Sequence, residues 1–113
     1  MNRYMLIYWG GGERMAKMSP QQIQEHMKRW TAWMEGLAKT GTWDGGEPLG
    51  PEARVVSGPK RPVTDGPYTE AKEAISGYTI LKAESIEQAA EIARACPIFE
   101  IEGVVEVRPV RAM

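Results

Sequence analysis

The sequence predicts an α+β domain, one antiparallel sheet with two helices packed on the same face. Three observations carry that expectation. The segment RYMLIYW at 3–9 is apolar on both alternating faces, as a covered strand is. Two S-x-x-Q capping boxes, Ser19 with Gln22 and Ser85 with Gln88, open helical stretches. Strand-like segments flank both of those helices.

In the first strand, Tyr4, Leu6 and Tyr8 share one face and Met5, Ile7 and Trp9 the other, and Gly10, Gly11 and Gly12 end it. The first helix has Pro20 at its opening position. Ile23, Met27, Trp30, Met34 and Leu37 form its apolar stripe, and Gly41 stops it. At 100° per residue, His26 and Trp33 fall together at one edge of that stripe, where a side chain is half covered. Glycine and proline are dense from Trp43 to Pro62, which predicts a broken strand near 43, a short strand at 53–57 and a turn through Gly58, Pro59 and Lys60. Another short strand, 62–64, leads into the turn Asp65-Gly66-Pro67, and TEAKEAIS at 69–76 reads as a loop with at most one helical turn. GYTILKA at 77–83 is the next strand. The second helix follows, with Ile86, Ala89, Ala90, Ala93 and Cys96 as its buried side and Pro97 as its stop. In the closing strand, GVVEVRPV at 103–110, Val105 and Val107 point one way and Glu106 and Arg108 the other.

The resulting order, βαββαβ with one added hairpin, is ferredoxin-like. Its helix-free face would leave one of the two apolar sides of the first strand in water. A second copy packed sheet to sheet, a homodimer, is therefore expected, with a small molecule held between the sheets.

Composition narrows the partners. A chain of 113 residues provides one core, a single domain over 1–113. With 14 basic against 15 acidic residues and no basic stripe, nucleic acid is not an expected partner. The N-terminal apolar run from Tyr4 to Trp9 is too short to span a membrane or to serve as a signal, so a cytoplasmic protein with no membrane partner is expected. The lone Cys96 has no disulfide partner and no neighbour at metal-ligand spacing; no metal and no other cofactor is expected.

The string TDGPYTEAKEAISGY at 64–78, the YMLIY start and the closing GVVEVRPV resemble the DGPF subgroup of the YCII-related proteins over nearly the whole chain. Tyr68 stands where that pattern usually has Phe, and Ala71 where it has Thr. The resemblance implies a dimeric α+β barrel with a cleft between the sheets. Because some DGPF proteins are encoded beside extracytoplasmic-function sigma factors, it also implies a regulatory link to those factors. YCII relatives outside the subgroup have a His in the first helix and an Asp before the Pro that ends the second, suggested as an acid/base pair. Counting back from Gly41 puts that His at Trp30, and the Asp falls on Cys96, so the pair does not carry over residue by residue.

The candidate residues each have a bland alternative. Asp65 could serve as a general base in the cleft, or cap backbone N–H groups in its turn. Glu70 and Lys72, beside Tyr68 in the same string, could bind a ligand together, or be solvated loop charges. His26, which alone titrates near neutral pH unperturbed, is the natural proton-transfer candidate, or a hydrogen-bonded structural histidine. Arg108 could grip a carboxylate, or pair across the sheet with Glu106 and its neighbours. The tryptophans at 9, 30, 33 and 43 read as core or interface more than as pocket lining. Gly10–Gly12 lacks the G-K-[ST] ending of a phosphate loop. The expected function is a small-molecule-binding, regulatory domain with Glu70, Lys72, Tyr68 and Arg108 as its ligand contacts. The alternative is a cofactor-free enzyme of lyase or isomerase type using Asp65 or His26.

Overall fold

The computed structural model describes residues 1–68 and 74–113. The elements run β1 (Asn2–Trp9), α1 (Gly12–Met15), α2 (Pro20–Lys39), β2 (Trp43–Pro48), β3 (Arg54–Val56), β4 (Val63–Asp65), β5 (Ile75–Ala83), α3 (Ile86–Ala93), a 3₁₀ helix (Pro97–Ile101) and β6 (Val104–Pro109). Four strands form an antiparallel sheet in the order β2-β5-β1-β6, while β3 and β4 make a separate two-stranded ribbon. This is the ferredoxin-like α+β arrangement, with the hairpin set apart from the main sheet.

β1 is central, and its alternation organises the rest. Leu6 lies opposite Thr79 and Val107, and Tyr4 opposite Leu81, so these side chains share the helix-covered face. That face, with Ala89, Ala93, Cys96, Ile98 and Ile101, is the core. Leu6 and Leu81 are fully buried, each contributing about 1.5–3 kcal/mol. The other face carries Met5, Ile7 and Trp9, opposite Arg108, Glu106 and Val104, and among the described residues no helix covers it.

The α2 capping box is present in both halves: Ser19 Oγ accepts from Gln22 N–H, and Gln22 Oε1 accepts from Ser19 N–H. The second box is only half formed. Ser85 caps α3 through Gln88 N–H, but the Gln88 side chain accepts from Glu84 N–H, one residue earlier.

Several expectations need correction. α3 ends at Ala93 rather than at Pro97, and its covered side is Ala89, Ile92 and Ala93; Ile86 and Ala90 face out. Pro97, which lacks a backbone N–H, starts the 3₁₀ helix instead of merely ending α3. β5 begins at Ile75, two residues before the expected start, so the end of TEAKEAIS is strand; residues 69–73 of that segment lie outside the described residues. The four-residue α1 has no counterpart in the sequence reading. Among the described residues no helix is long and apolar enough to cross a membrane.

Candidate functional site

Between α2 and the helix-covered face of the sheet lies a cavity of about 370 Å³. Its roof comes from His26, Met27, Trp30 and Met34 of α2, and its floor from Tyr8, Gly77 and Thr79. Trp43, Gly46 and Leu49 close one side, and Met15, Ile98, Ile101 and the glycines 10–12 the other. Glycine at two strand positions lets the backbones of β2 and β5 lie close together along this floor. A Cβ at Gly46 would sit 2.5 Å from the Tyr78 carbonyl oxygen, at a φ of +154° that other residues rarely adopt. A Cβ at Gly77 would stand 2.9 Å from the Glu47 carbonyl oxygen, and its absence leaves the Tyr8 ring room opposite it.

The polar groups of this largely apolar chamber are few and ordered. His26 is 1% exposed, the most deeply buried residue of α2. Its depth corrects the expectation of a half-covered edge residue, and the reason is that both ring nitrogens are satisfied. The Trp30 indole N–H, which can only donate, donates to Nε2 at 2.8 Å. Nδ1 therefore carries the proton and donates to Glu100 Oε1 at 2.9 Å. Arg29 Nε in turn reaches both Glu100 oxygens, at 2.9 and 2.8 Å. Burial works to raise the Glu100 carboxyl, but hydrogen bonds from His26 and Arg29, with the charge of Arg29, outweigh it and hold the group below its ordinary range. The path is continuous: Arg29, Glu100, His26, Trp30.

A second chain crosses the floor. The Tyr8 hydroxyl donates to Thr79 Oγ1 at 2.7 Å, and Thr79 is 2% exposed. Burial raises the Tyr8 phenol far above its ordinary range, so it stays a donor. The Tyr8 ring meets Trp30 edge-on with centroids 5.2 Å apart, and Trp30 meets Trp33 in the same way at 5.8 Å. Trp30 thus touches both polar chains. Cys96, behind Tyr8, is buried and its thiol is pushed up to about 11, chiefly by burial, so it is an inert core group.

Of the candidate catalytic and ligand-contact residues that lie among the described residues, the cavity takes only His26. Asp65 ends β4 on the ribbon, its side chain 92% exposed, and meets Arg54 at 3.4 Å. Tyr68 is 88% exposed. Arg108 lies on the helix-free face and reaches Glu106 at 3.7 Å; Glu106 also accepts from the Trp9 indole at 3.0 Å. Glu70 and Lys72 lie outside the described residues. Trp30 and Trp43 line the cavity, whereas Trp9 and Trp33 do not. Sequence reading missed Tyr8 and Thr79, which look like ordinary strand formers, and Glu100, whose one signal was a carboxylate in an otherwise apolar PIFEI segment.

A ferredoxin-like sheet with a helix-roofed, aromatic chamber defines a class of small α+β proteins with room for a compact ligand. Within that class the family is clear: the chain belongs to the YCII-related domain family, whose model matches residues 4–113. No curated protein sequence matches the chain. Among solved structures, the chain is similar to 5-chloro-2-hydroxyhydroquinone dehydrochlorinase (TftG) from Burkholderia phenoliruptrix AC1100, in complex with 2,5-dihydroxybenzoquinone. The TM-score is 0.51 at 13% identity, covering 98% of this chain and 95% of that one, a likeness of fold.

Proposed function

We propose that this chain is a cytoplasmic small-molecule-binding protein, working as a homodimer, and that its ligand occupies the chamber beneath α2. The observation that carries the reading is the cavity itself. It is lined by Trp30, Trp43 and Met34 and edged by a few oriented polar groups. A flat, mostly apolar molecule suits such walls. The sequence alone put the ligand between two sheets, on the opposite face. The homodimer rests on the helix-free face, where Met5, Ile7, Trp9 and Tyr78 are only partly covered within one chain.

A thermal-shift screen of small aromatic metabolites tests this reading. A ligand at about 100 times its dissociation constant adds roughly 2.7 kcal/mol. The stabilisation should vanish in Met34→Trp, which fills the chamber. A ligand that stabilises wild type and Met34→Trp equally would place binding elsewhere.

One observation favours a catalytic use of the same chamber. His26 and Glu100 form a hydrogen-bonded imidazole–carboxylate pair at its wall. The pair sits one step of four residues from Trp30 and Cys96, the positions matched to the acid/base pair suggested for YCII relatives. With Nδ1 holding its proton toward Glu100, Nε2 is the basic atom, and it is reached when the Trp30 indole gives up its bond. Proton uptake there would leave a positive ring facing Glu100. The reaction would be a cofactor-free elimination or isomerisation with His26 in the base role. TftG, a dehydrochlorinase, is compatible with this reading through its fold alone. Activity lost in His26→Gln, with ligand binding retained, would support it; full activity in that variant would remove it.

A further inference from the structure

The floor of the chamber holds one hydroxyl whose hydrogen-bonding capacity is half used. Thr79 Oγ1 accepts from Tyr8, and Tyr8 is its one partner among the described residues. In that bond the Tyr8 hydroxyl is the donor and Thr79 Oγ1 the acceptor. A hydroxyl whose lone pair is engaged in this way still has its own proton to donate. Thr79 is 2% exposed, and the chamber is the open space beside it. Gly46 of β2 pairs with Thr79, and the Trp43 ring lies over the place a side chain at Gly46 would take.

We propose that Thr79 is the specificity-determining residue of this chamber, donating its hydroxyl proton to an oxygen acceptor on an aromatic ligand, with Tyr8 orienting it from behind. The inference rests on the reading that the ligand binds in the chamber, and it names the ligand class: aromatic compounds bearing a carbonyl or phenolate oxygen at one edge. The wall opposite cannot do the same work. The Trp30 indole N–H is already spent on His26, and that imidazole turns its own N–H toward Glu100. Thr79 is thus a side-chain donor that the chamber keeps in reserve. A buried donor left without an acceptor carries a penalty, so the chamber discriminates against ligands that match the shape but lack the oxygen.

The test uses two probes of nearly the same shape, acetophenone and α-methylstyrene, in which a carbonyl oxygen is exchanged for a methylene. Their affinities are measured by NMR titration of the full chain, following the indole N–H signals of Trp30 and Trp43. Wild type should prefer acetophenone by roughly tenfold, the usual size of one buried hydrogen bond with its desolvation term. Thr79→Val should remove the preference while keeping the α-methylstyrene affinity, and Thr79→Ser, which restores the hydroxyl, should bring it back. Equal affinities of the two probes for wild type overturn the assignment of Thr79 even if both bind in the chamber. The same holds for a preference that survives in Thr79→Val. If neither probe moves the Trp30 or Trp43 signals, the reading of the chamber as the ligand site falls with it. The wild-type comparison and the Thr79→Ser variant keep the test decisive should Thr79→Val fold poorly.

Discussion

The two faces of the four-stranded sheet are finished on opposite terms. Beneath the helices, Leu6, Leu81, Thr79 and His26 are all buried, and every buried side-chain nitrogen or oxygen among the described residues has a partner. On the other side Met5, Ile7, Trp9 and Tyr78 are half covered, and the charged groups Glu106 and Arg108 settle for each other and for the Trp9 indole. β1 supplies both faces with residues of the same apolar kind. What separates them is what lies across: helices with their own polar chain on one side, and no helix among the described residues on the other. Apolar alternation therefore reports that both faces need cover. It does not report where a chamber will remain.

The sharpest way to break this contrast is a pair of substitutions one residue apart. Leu6→Ala should cost about 2–5 kcal/mol in urea denaturation, independent of protein concentration, because it opens a void in a closed core. Ile7→Asp, on the other face, should act on association instead. Light scattering at micromolar concentration should give a dimeric mass for wild type and a monomeric mass for the variant. A wild-type monomer would remove the homodimer from the account. His26→Leu comes next: it strands the Trp30 N–H and one oxygen of Glu100 and should cost about 1–3 kcal/mol, measured by the same denaturation.

Glu100→Gln should have a smaller effect, with a distinctive pH dependence. The carboxyl titrates below its ordinary value of 4.5, so the folded state favours its ionised form. The stability it provides is complete above that ordinary value and is lost as pH falls through the lowered one. The wild-type advantage in Tm over Glu100→Gln, present at pH 7, should therefore shrink on acidification below about pH 4.5. An advantage that grows on acidification would mean that His26 and Arg29 do not hold the carboxylate. Because Glu100 is partly exposed, the advantage should be at most about 1 kcal/mol. Asp65→Ala should do least, leaving Tm unchanged within error, since its contact with Arg54 is a long surface pair.

The parts of the fold that local chemistry dictates were legible in the sequence. Ser19, Pro20 and Gln22 mark the start of α2 through bonds made within four residues. The ribbon strands at 54–56 and 63–65 lie close to where the glycines and prolines placed them. The site was not legible, because it is assembled from residues far apart. His26 meets Glu100 across 74 positions, and Tyr8 meets Thr79 across 71. Helix periodicity put His26 at the edge of a stripe. A polar ring can lie deeper than its neighbours only when both nitrogens find partners, and Glu100 arrives on a 3₁₀ helix that the sequence did not announce. Thr79 and Tyr8 were hidden for a different reason: both are good strand residues, and nothing local distinguishes a hydroxyl with a task from one without.

The central claim is that the ligand lies under α2, and the tryptophans mark the two faces for a direct test. Trp30 and Trp43 line the chamber, while Trp9 stands on the helix-free side, bonded to Glu106. In an NMR titration with any small molecule that stabilises the protein, the account predicts that the indole N–H signals of Trp30 and Trp43 shift in proportion to binding and that of Trp9 stays still. A titration in which the Trp9 signal moves while those of Trp30 and Trp43 do not would contradict it.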